Sequence, residues 1–159
     1  MTLASEPTSV LQDNELLIQR TFDAPPELVF RVWTRPEHLA RWWGPKDFTP
    51  VAFEQDFRPG GAYRAGIRAP SGSETWMAGV YREIVPERRI VMTFQWEGGA
   101  SDLGESLITV TFEATPTGGT AFSFHQAPFP TVESRDSPLG GWSGLLDNLA
   151  TYLATVARS

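Results

Sequence analysis

The chain contains no cysteine, and this absence excludes thiol catalysis, disulfide bonds and thiolate metal sites. Two histidines are present, His38 and His125, and their separation fits neither HExxH nor His-x-Glu spacing. We therefore expect no metal site and no metal cofactor. No segment reaches the ~18 consecutive apolar residues of a membrane-spanning helix, so membrane insertion is not expected either.

Positive charge is also scarce. The 159 residues carry 13 Lys+Arg against 19 Asp+Glu, a net charge of −6, and Lys46 is the single lysine. An acidic surface without basic clusters gains nothing from counterion release, so DNA and RNA are not expected partners. The first residues, MTLASEPTSVLQDN, lack the basic start and apolar run of a secretion signal. With no cysteine present, we expect a cytoplasmic protein.

Aromatic residues, by contrast, are plentiful. They make up 12% of the chain and include six tryptophans, and hydrophobic residues as a whole make up 41%. A chain of this length suits one domain with a sizeable core. Residues 1–14 mix polar residues and proline without a period, which predicts a flexible N-terminal tail. The domain itself is then expected to span residues 15–159.

Two short helices are predicted after a first strand at residues 15–22. Pro25 and Pro26 suit the first turn of the first helix, where a missing N–H costs little. The segment Thr34-Arg35-Pro36-Glu37 has the form of a capping box, with Thr34 as N-cap of the second helix. Gly44-Pro45 is a stop signal for that helix.

The pair Trp42-Trp43 falls in the last turn of this second helix. Neighbouring side chains on a helix point about 100° apart, so one ring faces the core more directly than the other. We expect Trp43 to be buried and Trp42 to be the more exposed ring. His38 is expected at the surface of the same helix.

Alternating apolar and polar residues predict six further strands, at 48–57, 62–69, 75–85, 89–96, 106–114 and 120–126. A three-residue loop at 59–61 would place Phe57 opposite Tyr63, and Asp56 opposite Arg64. The last helix is expected to start at Ser137 as N-cap and Pro138 as its first residue. An antiparallel sheet with one covered face and a long helix with one apolar stripe must bury these surfaces on each other. The fold class is therefore α+β.

Five motifs occur in a specific order along the chain: TFDAPPELVFRVWTRPEHLARWW, DFRPGGAYR, AGVYREIVPERRIVMTFQW, ITVTFEATPTGGTAFSFHQ and GGWSGLLDNLATYLA. In this order they resemble the START-like (SRPBCC) superfamily. Within it, they resemble bacterial single-domain relatives of the C-terminal half of the heat-shock-protein-90 ATPase activator. The resemblance covers residues 15 to about 157. It implies the helix-grip fold, in which a strongly curved antiparallel sheet surrounds a long C-terminal helix and an internal cavity.

The resemblance also implies classes of partner. Superfamily members bind lipids, plant phenolics, polyketides or other apolar small molecules, and some are aromatases or cyclases. The family name suggests a chaperone partner as well. In the eukaryotic activator, however, stimulation depends largely on a separate N-terminal domain, which residues 1–14 cannot replace. A chaperone interaction is therefore the weaker expectation, and a homodimer is left open.

The expected ligand-binding residues combine the inward strand positions with the short helices and the final helix. They are Phe30, Trp33, Trp42, Trp43, Gln55, Phe57, Tyr63, Met92, Phe94, Trp96, Phe112, Phe122, Phe124, Gln126, Trp142, Leu145, Leu146 and Leu149. The alternative is that these residues simply form a close-packed core. Gln55 and Gln126 share faces with phenylalanines, so their amides are candidates to orient a ligand. Water or backbone groups are their alternative partners.

No catalytic constellation stands out. Gly141-Trp142-Ser143-Gly144 lacks the spacing of a nucleophile elbow and falls inside a predicted helix. Glu54 and Asp56, the nearest pair of carboxylates, are expected to face outward, as is His125. We therefore expect non-catalytic binding of an apolar or aromatic small molecule, with no cofactor. The alternatives are a cyclase- or hydrolase-like enzyme using the same cavity, and a chaperone-related interaction module.

Overall fold

The computed structural model describes residues 8–9, 15–43, 47–97, 105–127 and 132–156. Its strands are β1 (Thr8–Ser9), β2 (Leu16–Phe22), β3 (Thr49–Gln55), β4 (Ala62–Arg68), β5 (Glu74–Val85), β6 (Arg89–Trp96), β7 (Ser106–Ala114) and β8 (Thr120–Ala127). Its helices are α1 (Pro26–Thr34), α2 (Pro36–Trp42) and α3 (Val132–Val156).

The strands form one antiparallel sheet in the order β1-β2-β8-β7-β6-β5-β4-β3. Irregular pairing in β3, between Pro50 and Ala52, and in β5, between Tyr81 and Glu83, bends the sheet. Residues of one face are buried alternately along the strands, so a single face lies on the core. Helix α3 contacts β2 and α2. The predicted α+β helix-grip fold, a curved sheet with a long C-terminal helix and two short helices, is confirmed.

One strand was not predicted. Thr8 and Ser9 form β1, which pairs with β2 opposite Ile18 and Leu17. Two residues are too few for an alternation pattern to indicate a strand, so sequence reasoning could not find it. The rest of residues 1–14, the segment expected to be a flexible tail, lies outside the described residues.

The hairpin of β3 and β4 has a longer connection than the predicted three-residue loop. Tyr63 faces Gln55 rather than Phe57, and the predicted opposition of Asp56 to Arg64 is wrong. From Phe53 to Gln55 the displacement is an even number of residues, so these side chains keep their predicted face.

The cause of this displacement is that the connection bonds to a third strand. Gly60 N donates to Tyr81 O at 2.7 Å, and Tyr81 N donates to Gly61 O at 2.9 Å. The tight turn needs glycine, because Gly60 has a φ of +86° and a Cβ on Gly61 would lie 1.9 Å from Asp56 O. The connection is therefore part of the β5 pairing as well as of the hairpin.

Helix boundaries differ from the sequence prediction at two places. Thr34 belongs to α1, where its Oγ1 donates to Phe30 O at 2.7 Å, and Arg35 is the N-cap of α2 without a side-chain bond. The capping box fails because the threonine hydroxyl bonds back to its own helix. Helix α3 begins at Val132, upstream of the predicted start at 137–138. Pro138 falls in the second turn of α3, where it removes one backbone hydrogen bond but does not prevent the first turn from forming.

Candidate functional site

The space between the sheet and α3 is filled by aromatic rings, which we call the aromatic interior. Its members are Trp33, Trp42, Trp43, Phe53, Phe94, Phe112, Phe122, Phe124 and Trp142. Ring centroids lie 4.5 Å apart for Phe124 and Trp142, and 5.8 Å apart for Trp43 and Trp142. Trp33 of α1 lies 5.3 Å from Phe122 of β8. Rings from the short helices, the sheet and α3 therefore meet in one cluster.

All of the predicted ligand-binding residues lie in the core or pack against it. The buried ones are Trp33, Trp42, Trp43, Tyr63, Met92, Phe94, Phe112, Phe122, Phe124, Gln126, Trp142, Leu145, Leu146 and Leu149. The half-buried ones are Phe30, Gln55, Phe57 and Trp96. Alternation along the strands and the helical stripe of α3 thus identified the inward-facing side chains correctly. Their direct ring contacts are also what a close-packed core would show.

The tryptophan pair differs from the expectation, because both rings are buried. Trp42 is 3% exposed and Trp43 is 2% exposed. The predicted burial of Trp43 is confirmed, and the predicted exposure of Trp42 is wrong, because that ring is buried to almost the same extent. Trp43 is the C-cap of α2, with an extended φ of −66° and ψ of 128°. Because the backbone leaves helical geometry at Trp43, the angle of about 100° between neighbouring helical side chains no longer applies to the two rings. Trp42 Nε1 donates to Val32 O at 2.9 Å.

The indole nitrogen of Trp43 has no hydrogen-bond partner. Within the part of the chain that the structure describes, it is the one buried side-chain polar atom in this condition. The rings around it belong to Trp33, Trp42, Phe53 and Trp142, with centroids 5.1–5.8 Å from that of Trp43. An unpaired buried donor costs roughly 1–3 kcal/mol of stability. This N–H is therefore an unused donor inside the aromatic interior, next to Trp142 of α3.

Gln126 links the sheet to α3 through its side-chain amide. It is 2% exposed; its Nε2 donates to Ser106 Oγ at 2.8 Å, and its Oε1 accepts from Trp142 Nε1 at 2.7 Å. The prediction placed this amide inside the fold but did not identify these partners. Both ends of the amide are engaged with protein groups, so Gln126 fixes the position of the Trp142 ring.

Gln55 is engaged in a similar way on the other side of the interior. Its Nε2 donates to Thr34 O at the end of α1, and its Oε1 accepts from the Tyr81 hydroxyl at 2.5 Å. The neighbouring Tyr63 hydroxyl donates to Thr93 O at 2.6 Å. Burial raises the pKa of both phenols well above the usual value of tyrosine. Both hydroxyls therefore stay protonated at neutral pH and act as donors, not as bases.

Tyr81 was missed as an interior residue by sequence reasoning. The signal was present, because Tyr81 has the same strand phase as buried Met77, four residues earlier in β5. The ring contacts Phe57 at 5.0 Å and Tyr63 at 5.4 Å between centroids. Phe57 and Phe30 are half-buried and lie 6.1 Å apart, so this pair stands between the interior and the solvent.

The histidines take part in contacts away from the aromatic interior. His125 bonds through Nε2 to Glu15 Oε1 at 2.7 Å on the outer face of the sheet, as its strand phase predicts. His38 was expected at the surface; it is half-buried, because its Nδ1 lies 2.7 Å from the hydroxyl of Tyr152 on α3. In the described ranges, no group of three or more His, Asp or Glu side chains is placed to hold a metal ion.

A concave region lies mainly on the outer face of the sheet. This cleft has a volume of about 1450 Å³, and its lining includes Gln19, Glu83, Arg89, Thr111 and Ser123. The hydroxyls of Thr111 and Ser123 bond to each other across β7 and β8, and Arg89 pairs with Glu83 at 2.7 Å. Alternation along the strands gives no signal for a cleft on this face. Four of its polar side chains are therefore paired with each other.

A curved antiparallel sheet that packs on a long C-terminal helix, with two short helices after its first long strand, defines a START-like protein of the helix-grip fold. Among the described helices, none has both the length and the apolar character needed to cross a membrane. Residues 23–154 match the profile of the family described as Activator of Hsp90 ATPase homolog 1-like protein, and the chain belongs to this family.

Solved structures agree with this assignment. Protein CV1439 from Chromobacterium violaceum is 31% identical, with a TM-score of 0.77, and the match covers 88% of this chain and 96% of that one. Protein NE0264 from Nitrosomonas europaea shares the fold at 22% identity, with a TM-score of 0.78 and coverage of 94% and 100%. The AHSA1 protein from Silicibacter pomeroyi shares it at 23% identity, with a TM-score of 0.78 and coverage of 89% and 98%. No curated protein matches the sequence of the chain.

Proposed function

We propose that this protein binds an apolar or aromatic small molecule between the sheet and α3, without catalysing a reaction. The observation that carries the proposal is the aromatic interior, which rings from the short helices, the sheet and α3 build together. Sites for small molecules are concave and lined mainly by apolar and aromatic side chains with a few polar groups. Lipids, phenolics and polyketide-like molecules are the ligand classes that match such a lining. We place the protein in the cytoplasm on its acidic, cysteine-free composition.

Such a molecule enters the interior beside the half-buried rings of Phe30 and Phe57. Phe30 is on α1 and Phe57 is in the connection after β3, so each ring belongs to a different element. On the far side of the interior, Trp142 is held by one side-chain hydrogen bond, to Gln126. A ligand that enters beside Phe57 replaces ring–ring contacts with ring–ligand contacts, so apolar burial is kept while the rings move apart.

Binding without catalysis is the better proposal because the titratable side chains are poorly placed for chemistry. Glu54 of β3 and Asp56 of the connection after it are exposed, as predicted. The phenols of Tyr63 and Tyr81 have raised pKa values, which makes them poor general bases. Ser143 lies inside α3, where the strand-to-helix turn of a nucleophile elbow is absent.

A thermal-shift screen followed by native mass spectrometry tests the proposal. The panel contains neutral lipids, fatty acids, phenolics and aromatic polyketides, and we expect at least one class to raise the melting temperature and remain bound in the gas phase. The variant Phe57→Ala should weaken that binding. Val85→Ala is the matched control, because Val85 is 40% exposed on the outer face. If no class shifts the melting temperature or stays bound, the proposal is wrong. Turnover that is lost in Gln126→Leu or Gln55→Leu would favour the enzyme alternative instead.

A further inference from the structure

We propose that the indole N–H of Trp43 recognises the bound molecule, and that this molecule is a neutral, apolar compound with a hydrogen-bond-accepting oxygen, such as a ketone, an ester or an ether. The inference rests on the proposed function and adds the chemistry of the ligand to it. Its origin is one atom, the unpaired Nε1 of a side chain that is 2% exposed.

Two other indole groups and two amide groups of the interior already have partners. Trp42 Nε1 donates to Val32 O, and Trp142 Nε1 donates to Gln126 Oε1. The amide of Gln55 is bonded at both ends as well. A guest with an accepting oxygen can therefore pair with Trp43 without breaking a bond inside the protein. A hydrocarbon guest would leave this donor unpaired, so binding should favour an acceptor.

A buried water is a less suitable partner for this N–H. A stable buried water needs about 2–4 polar partners. The rings packed around Trp43 are those of Trp33, Trp42, Phe53 and Trp142, and the indole N–H groups of Trp42 and Trp142 are engaged elsewhere. An oxygen carried into the interior by an apolar molecule needs only the one bond, because the rest of the molecule contacts the rings.

The accepting oxygen is expected to be neutral. Among the described residues, the buried polar side chains of Thr34, Thr93, Ser106, Thr120 and Gln126 carry no charge, and the buried phenols of Tyr63 and Tyr81 are protonated. A carboxylate in this interior would lose its hydration without gaining a cationic partner, which strongly disfavours its charged form. The ketone, ester and ether classes avoid that loss and still accept from an N–H.

The test uses three probes of nearly equal size: 2-acetylnaphthalene, which has an accepting oxygen, 2-ethylnaphthalene, which has none, and 2-naphthoate, which is charged. Affinities are measured by calorimetric titration of the full chain. We expect the ketone to bind about fivefold or more tightly than the ethyl compound, and the carboxylate to bind more weakly than the ketone. Trp43→Phe should abolish the preference for the ketone. Trp76→Phe, which removes an indole that packs against Arg64 away from the aromatic interior, should keep it.

The outcomes separate this inference from the proposed function. If none of the three probes binds, binding of this class of molecule is refuted and the inference falls with it. If the ketone and the ethyl compound bind equally to the unmodified protein, or the preference survives in Trp43→Phe, only the role of Trp43 is refuted. Should Trp43→Phe fail to fold, the indole resonances of the 15N-labelled unmodified protein decide. The ketone, but not the ethyl compound, must then shift the Trp43 Nε1–H signal downfield, and an unmoved signal overturns the inference.

Discussion

Replacing Gln126 by leucine tests the link between the sheet and α3. The leucine keeps the approximate volume but removes the acceptor of Trp142 Nε1, at 2.7 Å, and the donor to Ser106 Oγ, at 2.8 Å. A buried group that loses its partner costs roughly 1–3 kcal/mol. Loss of the bond from Trp142 should cost the full amount. Loss of the bond to Ser106 should cost less, because Ser106 is 8% exposed and its hydroxyl can turn towards solvent. We expect a total loss of about 2–4 kcal/mol in the free energy of unfolding.

The assay is urea unfolding of Gln126→Leu, Trp142→Phe and the double variant, followed by far-ultraviolet circular dichroism. For a domain of this size, the expected loss corresponds to a decrease of roughly 4–16 °C in melting temperature. The double-mutant cycle should give a coupling energy of about 0.5–3 kcal/mol between the two residues, as groups in contact do. If Gln126→Leu is neutral or stabilising, or the two substitutions are additive, the bond from Trp142 to Gln126 does not stabilise the fold and our reasoning is refuted.

Two further predictions concern the β3–β4 connection and the buried phenols. Gly61→Ala should destabilise the protein by roughly 1–3 kcal/mol, because the added Cβ would lie 1.9 Å from a backbone oxygen. The control is Gly118→Ala, where φ is +90° and no atom lies within 4 Å; it should cost only about 1 kcal/mol, and equal losses in the two variants would contradict the steric argument. Burial raises the pKa of Tyr63, so its protonated form is favoured by folding; the resulting stability is complete below the ordinary tyrosine pKa of about 10 and is lost as pH rises above it. Tyr63→Phe should therefore flatten the decline of urea stability between about pH 10 and 12, and an unchanged slope would contradict the assignment.

Sequence patterns predicted which side chains face inward more reliably than what those side chains touch. Ile108, Val110 and Phe112 alternate with polar residues along β7, and one covered face of a sheet is enough to produce that pattern. The pattern carries no information about partners. The bonds of Gln126 to Ser106 and of Trp142 to Gln126 join three separate elements, so they depend on the packed fold.

The errors of the sequence prediction have a common physical origin in contacts from outside the local segment. The hairpin register was wrong because Gly60 and Gly61 bond to Tyr81 of β5, which a two-strand argument leaves out. The predicted exposure of Trp42 was wrong because Trp43 leaves the helix with an extended backbone, so helical spacing does not relate the two rings. The unpaired Nε1 of Trp43 could not be predicted either, since it depends on the rings that surround it.

The order of strands in the sheet has a consequence for how the chain folds. Strand β2 comes early in the sequence, yet its ladder partner is β8, and Thr120 Oγ1 donates to Ala24 O across 96 residues. The hairpins from β3 to β8 are local and can form as they emerge from the ribosome, whereas β2 must wait for almost the whole domain to be synthesised. Closing such a long loop carries an entropy cost before any contact repays it. Docking of the first long strand against the last one is therefore expected to be the slow step of folding, and the step in which α3 is finally enclosed.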